Sequence, residues 1–269
     1  MHYTRRTLAK AVVFEGLGLH SGEPVRAIVN PASDGIHFRF GNERTHANPS
    51  NVSDTVRSTK LGSIGTIEHL MSAFAGMEIT DAEIEVSAPE IPGMDGSSLP
   101  FVMAMMAAGF ADLEEVELPN LFTRVFFVEE AIKVAVGKGD GRWRYNYELG
   151  DRWPGSMEFE AVVPKDYVSQ VASARTFALA EEIPQIIQAG LAQGLDESSA
   201  LILGIEGYKN EPRFPDEPAR HKLLDLIGDL YLSGVPIRFL NVNGARTGHR
   251  TNVMTAQLVL DALASYAVP

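Results

Sequence analysis

The chain has 269 residues, 45% hydrophobic and 22% charged, with 35 acidic against 23 basic side chains and a net charge of −12. That length admits one large domain or two of ordinary size, and the acidic balance with no basic block argues against a nucleic-acid binder while leaving room for an anionic small molecule. Cysteine is absent, which removes disulfides, thiolate metal sites and cysteine nucleophiles together, so any metal must sit on His, Asp or Glu.

Arg5-Arg6 precedes a short apolar run interrupted by Lys10, a poor signal peptide, and no run of about 18 apolar residues follows anywhere. A cytoplasmic protein without a transmembrane segment is expected. Short β-type runs bounded by turn residues occupy 10–15, 25–30 and 35–40. A helix is predicted over 66–75, with Thr66 as N-cap, Gly76 as stop, and Ile67, Leu70, Met71 and Phe74 as its apolar stripe. A strand at 82–87, a Gly-rich turn at 92–98 and a helix at 99–108 follow. The acidic stretch 114–119 loses periodicity and reads as a linker.

The second half restarts with strands at 124–128, 132–136 and 142–149. Next come a helical region over 184–193, a helix on the stretch 216–229, a strand at 235–242, a Gly-rich loop and a final helix from about 252. Strands, then helices, then strands, twice over, predict an α+β fold of two domains, 1–118 and 119–269. No sequence repeat is visible.

The chemistry concentrates in Arg220-His-Lys-Leu-Leu-Asp-Leu-Ile-Gly-Asp. On a helix, His221, Asp225 and Asp229 fall within an arc of roughly 80°, with the leucines on the other side. Taken alone, such a pair reads as a solvated polar face. Glu68-His69, off the apolar stripe of its own helix, changes that reading: two imidazoles and one carboxylate leave a fourth tetrahedral position for water, the pattern of catalytic zinc. Glu68, beside His69, can take the proton of an attacking water. His249, in a loop made mobile or sharply turned by the preceding Gly244 and Gly248, is a candidate electrophile or general acid that Asp229 can hold protonated; alone it reads as a surface histidine. Lys222 can meet an anionic group, although a lysine on a helix is usually solvated.

Thr66-Ile-Glu-His-Leu, Glu90-Ile-Pro-Gly-Met-Asp-Gly-Ser, Ala174-Arg-Thr-Phe, the Arg220–Asp229 string and Gly248-His249, with Gly16-Leu-Gly-Leu-His-Ser-Gly ahead of them, resemble the zinc-dependent UDP-3-O-acyl-N-acetylglucosamine deacetylases of lipid A biosynthesis. The motifs are collinear from residue 16 to 252. The resemblance implies two domains, each a small sheet layered against helices, with Zn2+ in the cleft between them. It implies His69, His221 and Asp225 as ligands and Glu68 as activator of water. His249, held by Asp229, would stabilise the tetrahedral intermediate and protonate the leaving amine, and Thr176 would donate to the oxyanion. Lys222, Phe177 and Ile183 would contact the acylated sugar nucleotide.

Three departures bear on the substrate. The segments 54–66 and 147–158 are short for the family, the latter lacking a His-Pro loop, and Pro218 replaces an aromatic or aliphatic residue. Ile183, Ile186, Ile187 and Leu191 could line a channel for an acyl chain, but on pattern alone core packing is favoured. Hydrolysis of another N-acetylated sugar or amide without the long chain therefore stays open. A non-catalytic binding protein fits poorly with the retention of Glu68, Asp229 and His249.

Overall fold

A computed structural model describes residues 1–118 and 124–266. Two five-stranded sheets form its outer layers. The first holds, in spatial order, strands Val12–Leu17, Pro24–Pro31, Ala82–Val86, Ile36–Phe40 and Glu43–His46. The second holds Arg124–Glu129, Ile132–Lys138, Leu240–Ala245, Arg142–Glu148 and Ser156–Val162. Numbered by chain position within each sheet, both run 1-2-5-3-4. In both, the last strand pairs parallel with the third and every other pairing is antiparallel.

The helices repeat in the same way. In the first half α1 (Glu68–Met77) precedes the fifth strand and α2 (Leu99–Ala108) follows it. In the second half the short α3 (Ile183–Gln188) comes first, then α4 (Glu217–Tyr231) before the fifth strand and α5 (His249–Tyr266) after it. An α+β architecture is thus built twice on one topology that leaves no residue-level repeat. The proposed boundary between 118 and 119 meets the edge of the described residues, outside which Pro119 lies. The predicted linker is partly wrong: Phe110–Glu117 is a strand, paired antiparallel with a strand at His2–Leu8 that periodicity did not reveal.

α1 and α4, equivalent in the two halves, pack against each other at the centre. Ile67, Leu70, Met71 and Phe74 are each no more than 1% exposed, and burying a side chain of that size contributes roughly 1.5–3 kcal/mol. Contact is close because α4 carries Gly228, where a Cβ would sit 2.1 Å from the Glu68 carbonyl oxygen. A glycine inside a helix costs about 1 kcal/mol against alanine, so its presence in an otherwise good helix is a legible sign of close packing.

Several boundaries shift. Thr66 has φ 60° and its hydroxyl donates to Glu90, so it does not cap α1. Gly76 lies inside α1, where a Cβ would meet the Tyr167 ring at 2.1 Å; the left-handed residue that ends the helix is Glu78, φ 57°. The strand expected at 235–242 begins at Leu240, after a 3-10 turn at Ile237–Phe239. Gly244 belongs to that strand, and α5 begins at His249, so this histidine is the first residue of a helix and not part of a mobile loop.

Candidate active site

His69, near the start of α1, meets His221 and Asp225 on α4. Ligand atoms from the three lie within 4.8 Å of one another, and all three residues are buried. Asp225 Oδ1 stands 3.4 Å from His221 Nε2 and 3.7 Å from His69 Nε2, and it has no hydrogen-bond partner among the described residues. The solvated-face reading of α4 fails: His221, Asp225 and Asp229 are at most 3% exposed.

Burial, reinforced by His221, pushes the His69 imidazole down to about 3, and burial also lowers His221. Burial alone would raise Asp225, but the imidazoles and Lys222 outweigh it and hold the carboxyl below its usual range. Two neutral imidazoles and an ionised, unpartnered carboxylate oxygen are the protonation states that a divalent cation requires. The His221 Nδ1 lies 3.0 Å from the Ala174 carbonyl; donating there leaves Nε2 as the free ligand atom. The donor set fits a metal ion.

Glu68 flanks the cluster. Burial raises its carboxyl to about 7, and the Thr59 amide donates to Oε2 at 2.9 Å. Across the site, His249 Nδ1 lies 3.1 Å from Asp229 Oδ2, which also accepts from Asn252 Nδ2, while Thr59 Oγ1 donates to Asp229 Oδ1. Burial disfavours the imidazolium, yet Asp229 carries the His249 pKa up to about 9. Thr59 and Asn252 escaped the sequence reading, and Thr59 reaches Asp229 across 170 positions of chain.

Thr176 lies beside this cluster on a segment fixed at its backbone: its amide donates to the Gly96 carbonyl at 2.7 Å, and its carbonyl accepts from Leu201. Gly96, φ 76°, is required there, since a Cβ would stand 1.8 Å from the Ser199 carbonyl oxygen. The Gly16–Gly22 motif serves the same architecture. Glu90 accepts from the His20 and Ser21 amides and from the Ser21 and Thr66 hydroxyls, and the loop so held accepts Gln193 and Gly194 amides from the chain after α3.

A cavity of about 540 Å³ opens from Glu68, His69, Asp225, His249 and Thr176 and passes Phe177 and Lys222. Lys222 Nζ lies 3.0 Å from Asp225 Oδ2 and 5.5 Å from the Phe177 ring centroid, so it is not the solvated lysine of a helix surface. The cavity continues along Ile183, Ile186, Ile187 and Leu191. Core packing of that helix, which the pattern favours, is not what the structure shows: no residue of α3 is buried, and Ile187 is 67% exposed. Two ion pairs hold its approach, Arg57–Glu182 and Arg152–Glu181. Each arginine comes from one of the shortened segments. The 147–158 segment is a plain hairpin linking Arg142–Glu148 to Ser156–Val162. Pro218 is buried in the first turn of α4, where its missing N–H costs nothing.

The profile of the UDP-3-O-acyl N-acetylglycosamine deacetylases matches residues 5–261. The chain belongs to this family. Among its relatives, the UDP-3-O-acyl-N-acetylglucosamine deacetylase of Neisseria gonorrhoeae is 35% identical over 282 residues, covering 95% of this chain and 90% of the relative. The enzyme of that name from Chromobacterium violaceum is also 35% identical, over 92% of this chain and 87% of its own. The one from Myxococcus xanthus is 32% identical over 99% and 89%. The family and the α+β architecture of small sheets layered against helices agree with what the resemblance implied. Among the described residues, no helix is long and apolar enough to cross a membrane.

Proposed function

We propose that this deacetylase-family chain hydrolyses the N-acetyl group of UDP-3-O-acyl-N-acetylglucosamine, as in lipid A biosynthesis. The observation that supports this most is the single cavity that joins the His69, His221 and Asp225 cluster to the apolar wall of α3. His69, His221 and Asp225 would hold zinc, which when bound supplies Lewis-acid polarisation and a more acidic water.

The chain's own groups do the rest. Glu68 Oε1, left free while Oε2 accepts from Thr59, takes the proton of the attacking water. Attack on the acetyl carbonyl places negative charge on its oxygen, and the Thr176 hydroxyl and the His249 imidazolium donate to it. Collapse breaks the C–N bond, and His249 gives its proton to the departing amine, yielding acetate and the free glucosamine nitrogen. Asp229, itself held by Thr59 and Asn252, keeps the His249 ring charged and aimed. Lys222 and Phe177 meet the sugar nucleotide, and Ile183 with its neighbours on α3 receives the acyl chain. A water-borne, anionic nucleotide sugar suits a cytoplasmic location.

The test compares kcat/KM on 3-O-acylated and non-acylated UDP-N-acetylglucosamine. A strong preference for the acylated compound is expected; equal values would make the protein a deacetylase of some other amide.

A further inference from the structure

The segment that carries Thr176 is tied to α4 by a buried ion pair that takes no part in the chemistry above. Arg175 is 5% exposed and Glu217, at the first position of α4, is fully buried. Glu217 Oε1 accepts from the Arg175 amide at 2.9 Å and from its Nε at 3.0 Å; Oε2 accepts from the Arg213 amide at 2.6 Å and from Arg175 Nη2 at 3.3 Å. The guanidinium uses its remaining reach on two carbonyls, Ser198 at 3.2 Å and Glu211 at 2.8 Å. Burying an ion pair is a poor route to stability, because desolvation offsets most of the attraction. A fork locked at this many points instead fixes geometry.

What it fixes is legible from its neighbours in the chain. Arg175 directly precedes Thr176. Glu217 lies one helical turn before His221, whose Nδ1 meets the carbonyl of Ala174 on the other side of Arg175. The pair therefore spans the gap between the oxyanion-donor segment and the helix that carries His221 and Asp225. We propose that Glu217, through Arg175, is a positioning residue that sets the Thr176 hydroxyl against the reacting carbonyl. This rests on the oxyanion role proposed for Thr176.

The test is a double-mutant cycle on the zinc-loaded enzyme, using Glu217→Gln and Thr176→Val, with kcat, KM, metal content and Tm measured for each variant. Removing one oxyanion donor typically costs on the order of 10²–10³ in kcat, so Thr176→Val should fall in that range. Glu217→Gln should keep its metal and lower kcat roughly tenfold or more with KM little changed. In the Thr176→Val background the same change should cost under about twofold, because the group it positions is gone. Where Glu217→Gln folds poorly, Arg175→Lys, which keeps the charge and loses the fork, enters the cycle in its place. A full tenfold loss in both backgrounds, a loss of metal, or a lower Tm with unchanged kcat would each overturn the positioning role. A near-normal kcat for Thr176→Val alone would instead overturn the reading of Thr176 on which it rests.

Discussion

Replacing Asp229 by Asn tests the least conventional charge in the site. His249 is held at about 9 where an unperturbed imidazole titrates near 6.5, although burial alone would lower it. That difference corresponds to roughly 3 kcal/mol in favour of the imidazolium, and the Asp229 carboxylate 3.1 Å away supplies the largest part of it, with smaller parts from Glu68 and Asp225. Asn keeps the shape and removes the charge, so the His249 pKa should fall to 6.5 or below. At pH 8 the ring then passes from mostly protonated to about 3% protonated, a loss of roughly 30-fold in kcat/KM beyond any loss at pH 6. The profile of kcat/KM against pH reads this as a basic limb near 9 that moves below 7 in the variant. Stability follows the same sign. A folded-state pKa raised above the unfolded one stabilises the protein in full below pH 6.5 and loses that contribution as pH climbs through 9. The gap in unfolding free energy between the two proteins should therefore narrow over that window. An Asp229→Asn enzyme with normal metal content and a basic limb still near 9 would refute the assignment of His249 as the acid that Asp229 keeps charged.

Other outcomes follow from the same geometry. His69→Ala and Asp225→Ala should each lower bound metal sharply, and full occupancy by elemental analysis in both would remove them as ligands. Glu68→Ala should retain the metal and lose about 10²–10⁴ in turnover; near-normal turnover on the acylated substrate would end its role as base. Shortening the substrate's acyl chain should cost about 0.8 kcal/mol of transition-state binding per CH₂ removed, read as a stepwise fall in kcat/KM across a homologous series. A flat series would show that the α3 wall does not receive the chain.

The metal-ligand pattern was legible because helical periodicity converts spacing into a shared face: His221, Asp225 and Asp229 need only be helical to converge. Glu68-His69 was legible by chemistry alone, as the one pair that could complete the set. Thr59 was not. It sits in no periodic element, and its value arises from folding across 170 residues to reach Asp229. The role of α3 was also out of reach, since Ile183, Ile186 and Ile187 give the same pattern whether the opposite surface is core or cavity. Two glycines just ahead of His249 suggest a loop; the strand absorbs Gly244 and the helix begins one residue after Gly248. The doubled topology left no trace at all, because strand order is a property of pairing, which many unrelated sequences satisfy.

That doubled topology divides the metal cluster unequally. His69 comes from the helix of one repeat and His221 with Asp225 from the matching helix of the other, joined where Gly228 meets the Glu68 backbone. Neither repeat owns a complete set of donors, so a cation held by all three is also a rivet between them. Its binding would be coupled to the docking of the halves, so stripping it with a chelator should loosen the seam as well as silence the chemistry. Such a seam would register assembly: a chain whose second repeat has yet to form has one of the three donors to offer, and the chemistry proposed for the cluster would wait until both sheets are in place.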